Sequence, residues 1–200
     1  EAIRNTDCGW FYRASAKDFG RIPGSPISYW LGENIYRLYS GQLIGQLCEI
    51  KEGVGTRNDD VFMKMCWEVS QVNIGRDRRW ILTDKAGGFR KWYLGPDFLM
   101  DWEDDGFRIK NYRNPDGSLK SRPQNLKYMF QSGATWGFVG SGITSFRWRP
   151  EGYGFTSAAI SIFGENAFDT LAFLNTNLMR LLLQVRGGTL NVVSGVVSDL

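Results

Sequence analysis

The apolar residues of this chain change period early on, and that change calls for helix and sheet in one fold. Across residues 26–40, Ile27, Trp30, Leu31, Ile35, Leu38 and Tyr39 recur at the spacing of a single helix face. Ser25 stands where an N-cap belongs, Pro26 suits a first turn and Gly41 suits an end, so a helix is predicted over 26–40. Past Gly45 the period becomes two. Val61, Met63, Met65, Trp67 and Val69 alternate with Phe62, Lys64, Cys66, Glu68 and Ser70, as a strand with one buried face requires. Further strands are expected at 80–83, 98–102, 107–112, 143–149 and 158–163, separated by turns such as Asn114-Pro115-Asp116-Gly117. A second helix is expected over 166–185, with Phe168, Leu171, Ala172, Leu178, Leu181 and Leu182 inside and Gly187-Gly188 at its end, before an extended piece at 189–193. The predicted class is α+β, a single domain over 1–200. It has a helical lead-in over 1–44, a mixed or antiparallel β-rich core over 45–163 and a C-terminal helix.

Composition narrows the chemistry. No apolar run approaches the roughly 18 residues of a membrane span, so no membrane partner is expected. Residues 1–7 carry no basic stretch followed by an apolar one, which leads to the expectation of a cytoplasmic protein. Cys8, Cys48 and Cys66 are odd in number and far apart, and are expected to be reduced thiols. The chain has no histidine, which excludes Ser/His/Asp and Cys/His catalysis within it and removes the commonest zinc ligand. No C-x-x-C pair replaces that ligand, and no metal is assigned.

Charge is unevenly spread. Residues 106–150 hold eight bases (Arg108, Lys110, Arg113, Lys120, Arg122, Lys127, Arg147, Arg149) against one acid, Asp116. Just upstream, residues 92–105 hold five acids (Asp97, Asp101, Glu103, Asp104, Asp105) and no base. Such segregation fits a polyanion-facing surface, and equally fits charges that fold onto several faces and cancel. The acidic set is better explained as a solvated strand end than as a cation site. Asn114-Pro115-Asp116-Gly117 lacks the second proline and the aromatic of a methyltransferase Asn-Pro-Pro loop and is a turn. Gly137, Gly140 and Gly142 do not complete a nucleotide-binding G-x-G-x-x-G, so neither a catalytic residue nor a cofactor site is assigned.

Three segments carry binding chemistry. Residues 85–93 combine Lys85, Arg90 and Lys91 with Phe89, Trp92 and Tyr93 around Gly87-Gly88: cations for phosphates, rings for bases, glycines for close approach. A glycine turn leading into a core strand would account for Trp92 and Tyr93 equally well. Arg122, Gln124 and Asn125 bring side chains that contact base edges in pairs of hydrogen bonds. In the strand at 143–149, Ser145, Arg147 and Arg149 share one face and Phe146 and Trp148 the other, so two arginines are expected side by side on the face away from the aromatics.

Taken in order, several segments resemble one family. They are Pro23-Gly24-Ser25-Pro26-Ile27-Ser28-Tyr29-Trp30, the run from Glu52-Gly53-Val54-Gly55-Thr56-Arg57 to Phe62, Trp67-Glu68-Val69, residues 85–93, Asp101-Trp102-Glu103-Asp104-Asp105-Gly106, Ser121-Arg122 with Asn125 and Tyr128, Gly133-Ala134-Thr135-Trp136, Ser145-Phe146-Arg147, residues 171–178 and Thr189-Leu190-Asn191. They are similar to the downstream half of PglX-type adenine-specific DNA methyltransferases from BREX phage-defence systems, and to related fused restriction-modification enzymes. The chain departs from them at Leu94, where relatives have glycine, and after Asn191, where Val192-Val193-Ser194-Gly195 follows.

The resemblance implies a target recognition domain that reads double-stranded DNA for a methyltransferase domain upstream in the same polypeptide, alongside other BREX components. S-adenosylmethionine would then be a cofactor of the parent enzyme and not of this segment, which would catalyse nothing by itself. It also implies that Lys85, Arg90, Lys91, Arg122 and Asn125 lie in recurrent motifs; with Arg147 and Arg149 they form the expected DNA-contacting set. A different class, a carbohydrate-binding β module, is suggested by 29 aromatics (13 Phe, 8 Trp, 8 Tyr), but neutral sugars do not need the basic segment.

Overall fold

The computed structural model describes residues 4–93, 95, 97–139, 142–187 and 191–200. The chain runs α1 (Ala16–Phe19), α2 (Glu33–Leu38), α3 (Ile44–Leu47), β1 (Glu49–Lys51), α4 (Asp59–Phe62), β2 (Met63–Met65), β3 (Trp80–Asp84), β4 (Trp92–Tyr93), β5 (Phe98–Asp101) and α5 (Glu103–Lys110). It continues through β6 (Gly133–Gly137), β7 (Arg147–Arg149), β8 (Gly154–Phe155), β9 (Ala159–Phe163), α6 (Ala167–Leu174), α7 (Asn177–Gly187) and α8 (Ser194–Ser198). The α+β class is as expected. No helix among the described residues is long and apolar enough to cross a membrane.

Two mixed sheets make the frame. The first has the order β1-β9-β6-β7-β4, antiparallel except for the β4–β7 pair; the second has the order β2-β5-β3-β8, antiparallel except for β3–β8. Strand alternation sorts the first sheet into two unlike faces. Ala134, Trp136, Ile160 and Ile162 point toward α6 and α7 and build an apolar core with Leu171, Leu174, Met179 and Leu182. The residues between them, Thr135, Ser161, Arg147 and Arg149, are also buried. They share the interior with Phe155 and Phe163, which belong to the second core around Ile81, Met63 and Met100.

Several sequence expectations need correction. The helix predicted over 26–40 is confined to Glu33–Leu38, because Gly24 and Ser25 take left-handed backbone (φ 79° and 46°) and Ser28 is spent on a buried contact: its carbonyl accepts from the Tyr36 hydroxyl at 3.0 Å. The strand predicted over 61–70 keeps only Met63–Met65, since Glu68 turns back to accept from the Met65 amide and leaves Trp67 74% exposed. Residues 107–112 are not a strand. Asp104, Asp105 and Gly106 all have positive φ, and Phe107 to Lys110 then close a helical turn that buries Ile109 and exposes Phe107. The strand expected at 143–149 shortens to Arg147–Arg149.

The helix expected over 166–185 is broken at Asn175. That side chain clasps the backbone of Phe146, its Nδ2 donating to the carbonyl at 2.9 Å and its Oδ1 accepting from the amide at 3.3 Å. Thr176 then caps α7, accepting from the Met179 amide at 3.2 Å. Phe168, Ala172 and Leu178 are exposed, against the expectation that they face inward. Gly140, Leu94, and the Gly188, Thr189 and Leu190 part of the predicted C-terminal segment lie outside the described residues. Cys8, Cys48 and Cys66 form no disulfide.

Gly53 fixes how closely the loop after β1 lies on β8: a Cβ there would sit 2.1 Å from the Phe155 carbonyl oxygen. Because that neighbour is backbone, Gly53→Ala is expected to lower stability by about 2 kcal/mol, read as a shifted urea midpoint at unchanged slope.

Candidate nucleic-acid interface

The loop that Gly53 seats forms one wall of a polar groove of about 500 Å³, bounded by Val54 to Asp60, Lys85 and Thr156 to Ala158. Gly55 pairs through its backbone with Arg122, its amide donating to the Arg122 carbonyl at 2.9 Å and its carbonyl accepting from the Arg122 amide at 2.7 Å. That pairing brings the arginine to the groove edge. Its side chain is 57% exposed, with Glu52 at 3.7 Å. Arg57, in left-handed backbone (φ 59°), stands exposed on the same loop. Lys85 pairs with Asp59 at 2.7 Å. Burial pushes the Asp59 carboxyl up, but hydrogen bonds from Lys85 and Thr56 outweigh it and hold the group below its usual range.

Lys85 also borders a second, smaller cavity, lined by Asp84, Gly87, Arg90, Asp97, Arg147, Arg149 and Tyr153. Arg90 pairs with Asp97 at 2.8 Å, and its amide donates to Ser145 Oγ at 3.0 Å. Arg57 and Lys85 therefore line the groove, Arg122 is paired to Gly55 of its wall, and Arg90 lines the cavity that shares Lys85. Phe89, Trp92 and Tyr93 are 62%, 54% and 64% exposed. The strand-core explanation for Trp92 and Tyr93 does not hold. Ala86, Gly87, Gly88 and Trp92 all have positive φ, which turns this segment outward at the sheet edge.

The expected DNA-contacting residues thus separate. Lys85, Arg90 and Arg122 lie at or beside the groove and the adjoining cavity, and Arg57 joins them. Arg57 was legible only as part of the Gly-Thr-Arg-Asn motif, and it is the glycine at 55 that brings Arg122 beside it. Asn125 is half-buried in left-handed backbone (φ 53°), its Nδ2 donating to the Glu52 carbonyl at 2.9 Å, so it braces the loop. Lys91 faces the other way, its Nζ donating to the Asn175 carbonyl at 3.1 Å at the end of α6.

Arg147 and Arg149 do share a face, but that face packs on the second sheet, and the expectation that they are presented to solvent is corrected: they are 3% and 2% exposed. Arg147 pairs with Asp84. Arg149 donates to Ser161 Oγ at 2.8 Å and the Gln131 carbonyl at 3.2 Å and lies over the rings of Phe155 and Phe163. The basic stretch is balanced in the same way elsewhere: Arg108 and Lys110 pair with Asp101 and Asp105. Asp101 itself is buried between Arg79 and Arg108 and is no solvated strand end.

Comparison with known proteins gives the family context. The chain is 31% identical over 214 aligned positions to the adenine-specific methyltransferase PglX of Lacticaseibacillus casei (strain Zhang), an alignment that covers all of this chain and 18% of that protein. It is 28% identical over 198 positions to the adenine-specific methyltransferase BrxX of Escherichia coli O9:H4 (strain HS), covering 94% of this chain and 16% of the relative. No family model matches. The resemblance drawn from the motifs stands: this chain matches one segment of PglX-type adenine-specific methyltransferases and spans less than a fifth of their length.

Proposed function

We propose that this chain is the DNA-reading part of an adenine-specific DNA methyltransferase, acting in phage defence or restriction-modification, and that it is not catalytic by itself. The observation that carries this reading is the set of cations on this surface, Arg57 and Lys85 lining the groove, Arg122 paired to its wall at Gly55 and Arg90 in the adjoining cavity, in a chain whose relatives are methyltransferases. Lysines and arginines on one surface suit the phosphates of double-stranded DNA, and affinity from them is independent of sequence. Arg122 stands on an exposed loop, free to enter a groove and pair with a guanine edge. Lys91, Asn125 and Arg147 act underneath, bracing the segments that carry the contacts, and Arg149 is buried beneath them. The exposed Phe89, Trp92 and Tyr93 lie beside cations, which favours stacking on bases over binding neutral sugars.

In the parent enzyme, the methyltransferase domain would lie upstream, bind S-adenosylmethionine and take the target adenine out of the duplex. This chain would set which adenine it reaches.

Fluorescence anisotropy with labelled duplexes tests the reading directly. The chain should bind duplex DNA with an affinity that falls steeply with salt; binding that ignores salt would overturn it. In the full-length enzyme, Arg122→Ala should weaken binding to the methylated site about tenfold, ~1.4 kcal/mol, and binding to scrambled DNA hardly at all. Equal losses on both duplexes would make Arg122 a phosphate contact.

A further inference from the structure

The small cavity that shares Lys85 with the groove is lined by four cations, and three of them have a carboxylate: Lys85 has Asp59, Arg90 has Asp97 and Arg147 has Asp84. Arg149 has none. Among the described residues no carboxylate lies within ion-pair distance of it, and the groups that accept from its two terminal nitrogens, Ser161 Oγ and the Gln131 carbonyl, are neutral. Its Nε–H is buried without an acceptor among the described residues. A buried charge in this position is costly unless something neutralises it. Two aromatic faces, Phe155 with its centroid at 4.5 Å and Phe163 at 5.2 Å, attract the guanidinium but carry no charge.

The cavity measures about 20 Å³, room for one oxygen-sized atom and not for a side chain. Lys85 lines both this cavity and the neighbouring groove, and Lys85 and Arg90 on the cavity wall are partly exposed. Asp84 and Asp97 on the same wall are already engaged by Arg147 and Arg90, and with Asp59 counted against Lys85 the cavity keeps one excess positive charge.

We infer that this cavity is a site for one charged oxygen of a phosphate-class oxyanion, seated against Arg149 with Lys85 and Arg90 at its rim. The oxyanion would supply the missing counter-charge and an acceptor for the orphan Nε–H, and hydrogen bonds between ionised partners are the strong ones. Free phosphate and a DNA backbone phosphate present the same oxygen. The inference rests on the charge balance around Arg149 and stands apart from the DNA-reading proposal.

Inorganic phosphate is the probe. Phosphate should raise the melting temperature saturably, by about 5 °C at a hundredfold excess over its dissociation constant, where sodium chloride of equal ionic strength does not. The ³¹P resonance of phosphate should broaden on adding the protein. Both effects should vanish in Arg149→Met and weaken severalfold in Arg90→Gln, a rim variant that leaves the interior intact and serves if Arg149→Met does not fold. A non-specific duplex is then added to the phosphate-loaded protein. Loss of the ³¹P broadening assigns the oxygen to the DNA backbone, and its persistence assigns the site to free phosphate; either supports the site. No effect of phosphate beyond that of chloride would overturn the inference, as would an effect untouched by Arg149→Met and Arg90→Gln. The DNA reading fails separately, by absence of duplex binding in the anisotropy experiment.

Discussion

Replacing Arg147 with methionine is expected to lower the free energy of unfolding by about 3–5 kcal/mol, because it strands a buried carboxylate. Asp84 is 8% exposed; its other side-chain contact is the Ala86 amide at 3.2 Å, and the Arg147 guanidinium is the cation that pairs with it. Arg149→Met makes the contrast. It removes a buried cation that has no carboxylate, leaves two neutral acceptors behind, and fills the space between two phenylalanines with apolar atoms, so in phosphate-free buffer it should cost little or even stabilise. Burial pulls the Arg149 guanidinium down to about 10; the nearby charge of Asp84 opposes that fall in part, and the charge of Arg147 adds to it. A base that holds its proton less tightly when folded lowers stability wherever both states are charged. That penalty, on the order of 3 kcal/mol, is present in full at neutral pH and is relieved only above about pH 10, where the folded state gives up its proton first. Urea denaturation of both variants at pH 7 decides the matter: an Arg149→Met loss as large as the Arg147→Met loss would mean that the pairing with Asp84 is not what sets the cost.

These two arginines also mark where sequence reasoning succeeds and stops. The period of two across Ser145 to Arg149 correctly places both on one face, opposite Phe146 and Trp148, because side-chain alternation is a property of the strand itself. What covers that face is a property of the whole chain. Asp84 comes from 63 positions upstream of Arg147, and no local pattern announces that a second sheet lies there. The same distinction explains the broken C-terminal helix. Its apolar periodicity is real, but Asn175 is taken by the backbone of Phe146, 29 positions away, and a tertiary contact of that kind overrides propensity.

Residues 107–112 mislead for the opposite reason. Phe107, Ile109 and Arg108, Lys110 alternate over too short a span to tell strand from a single helical turn, and three successive left-handed residues set the outcome just before them. The groove was partly legible. Residues 85–93 and Arg122 were singled out by residue type, while Arg57, whose backbone conformation rather than its neighbours exposes it, was not.

The two cations that line the groove make the second large prediction. Lys85 and Arg57 stand on separate loops that meet at one groove, and neither is needed to neutralise a fully buried carboxylate: Asp59, the partner of Lys85, has a side chain 47% exposed and stays hydrated without it. Changing both to glutamine should therefore spare the fold and remove two phosphate contacts. Each contact released from DNA carries a counterion term, so the slope of log affinity against log salt should flatten by about 1.8. With affinity at 1 M salt unchanged, that is roughly a 60-fold loss at 0.1 M, ~2.4 kcal/mol, equal on cognate and scrambled duplexes because phosphates carry no sequence. Arg147→Met, by comparison, should weaken binding only as far as it unfolds the protein, and leave the slope of the folded fraction intact. The measurement is a salt titration of the double variant by anisotropy on a scrambled duplex, with the melting temperature recorded alongside. If the slope keeps its wild-type value while the protein stays folded, the DNA does not run along this groove, and the phosphate contacts must be sought on another face.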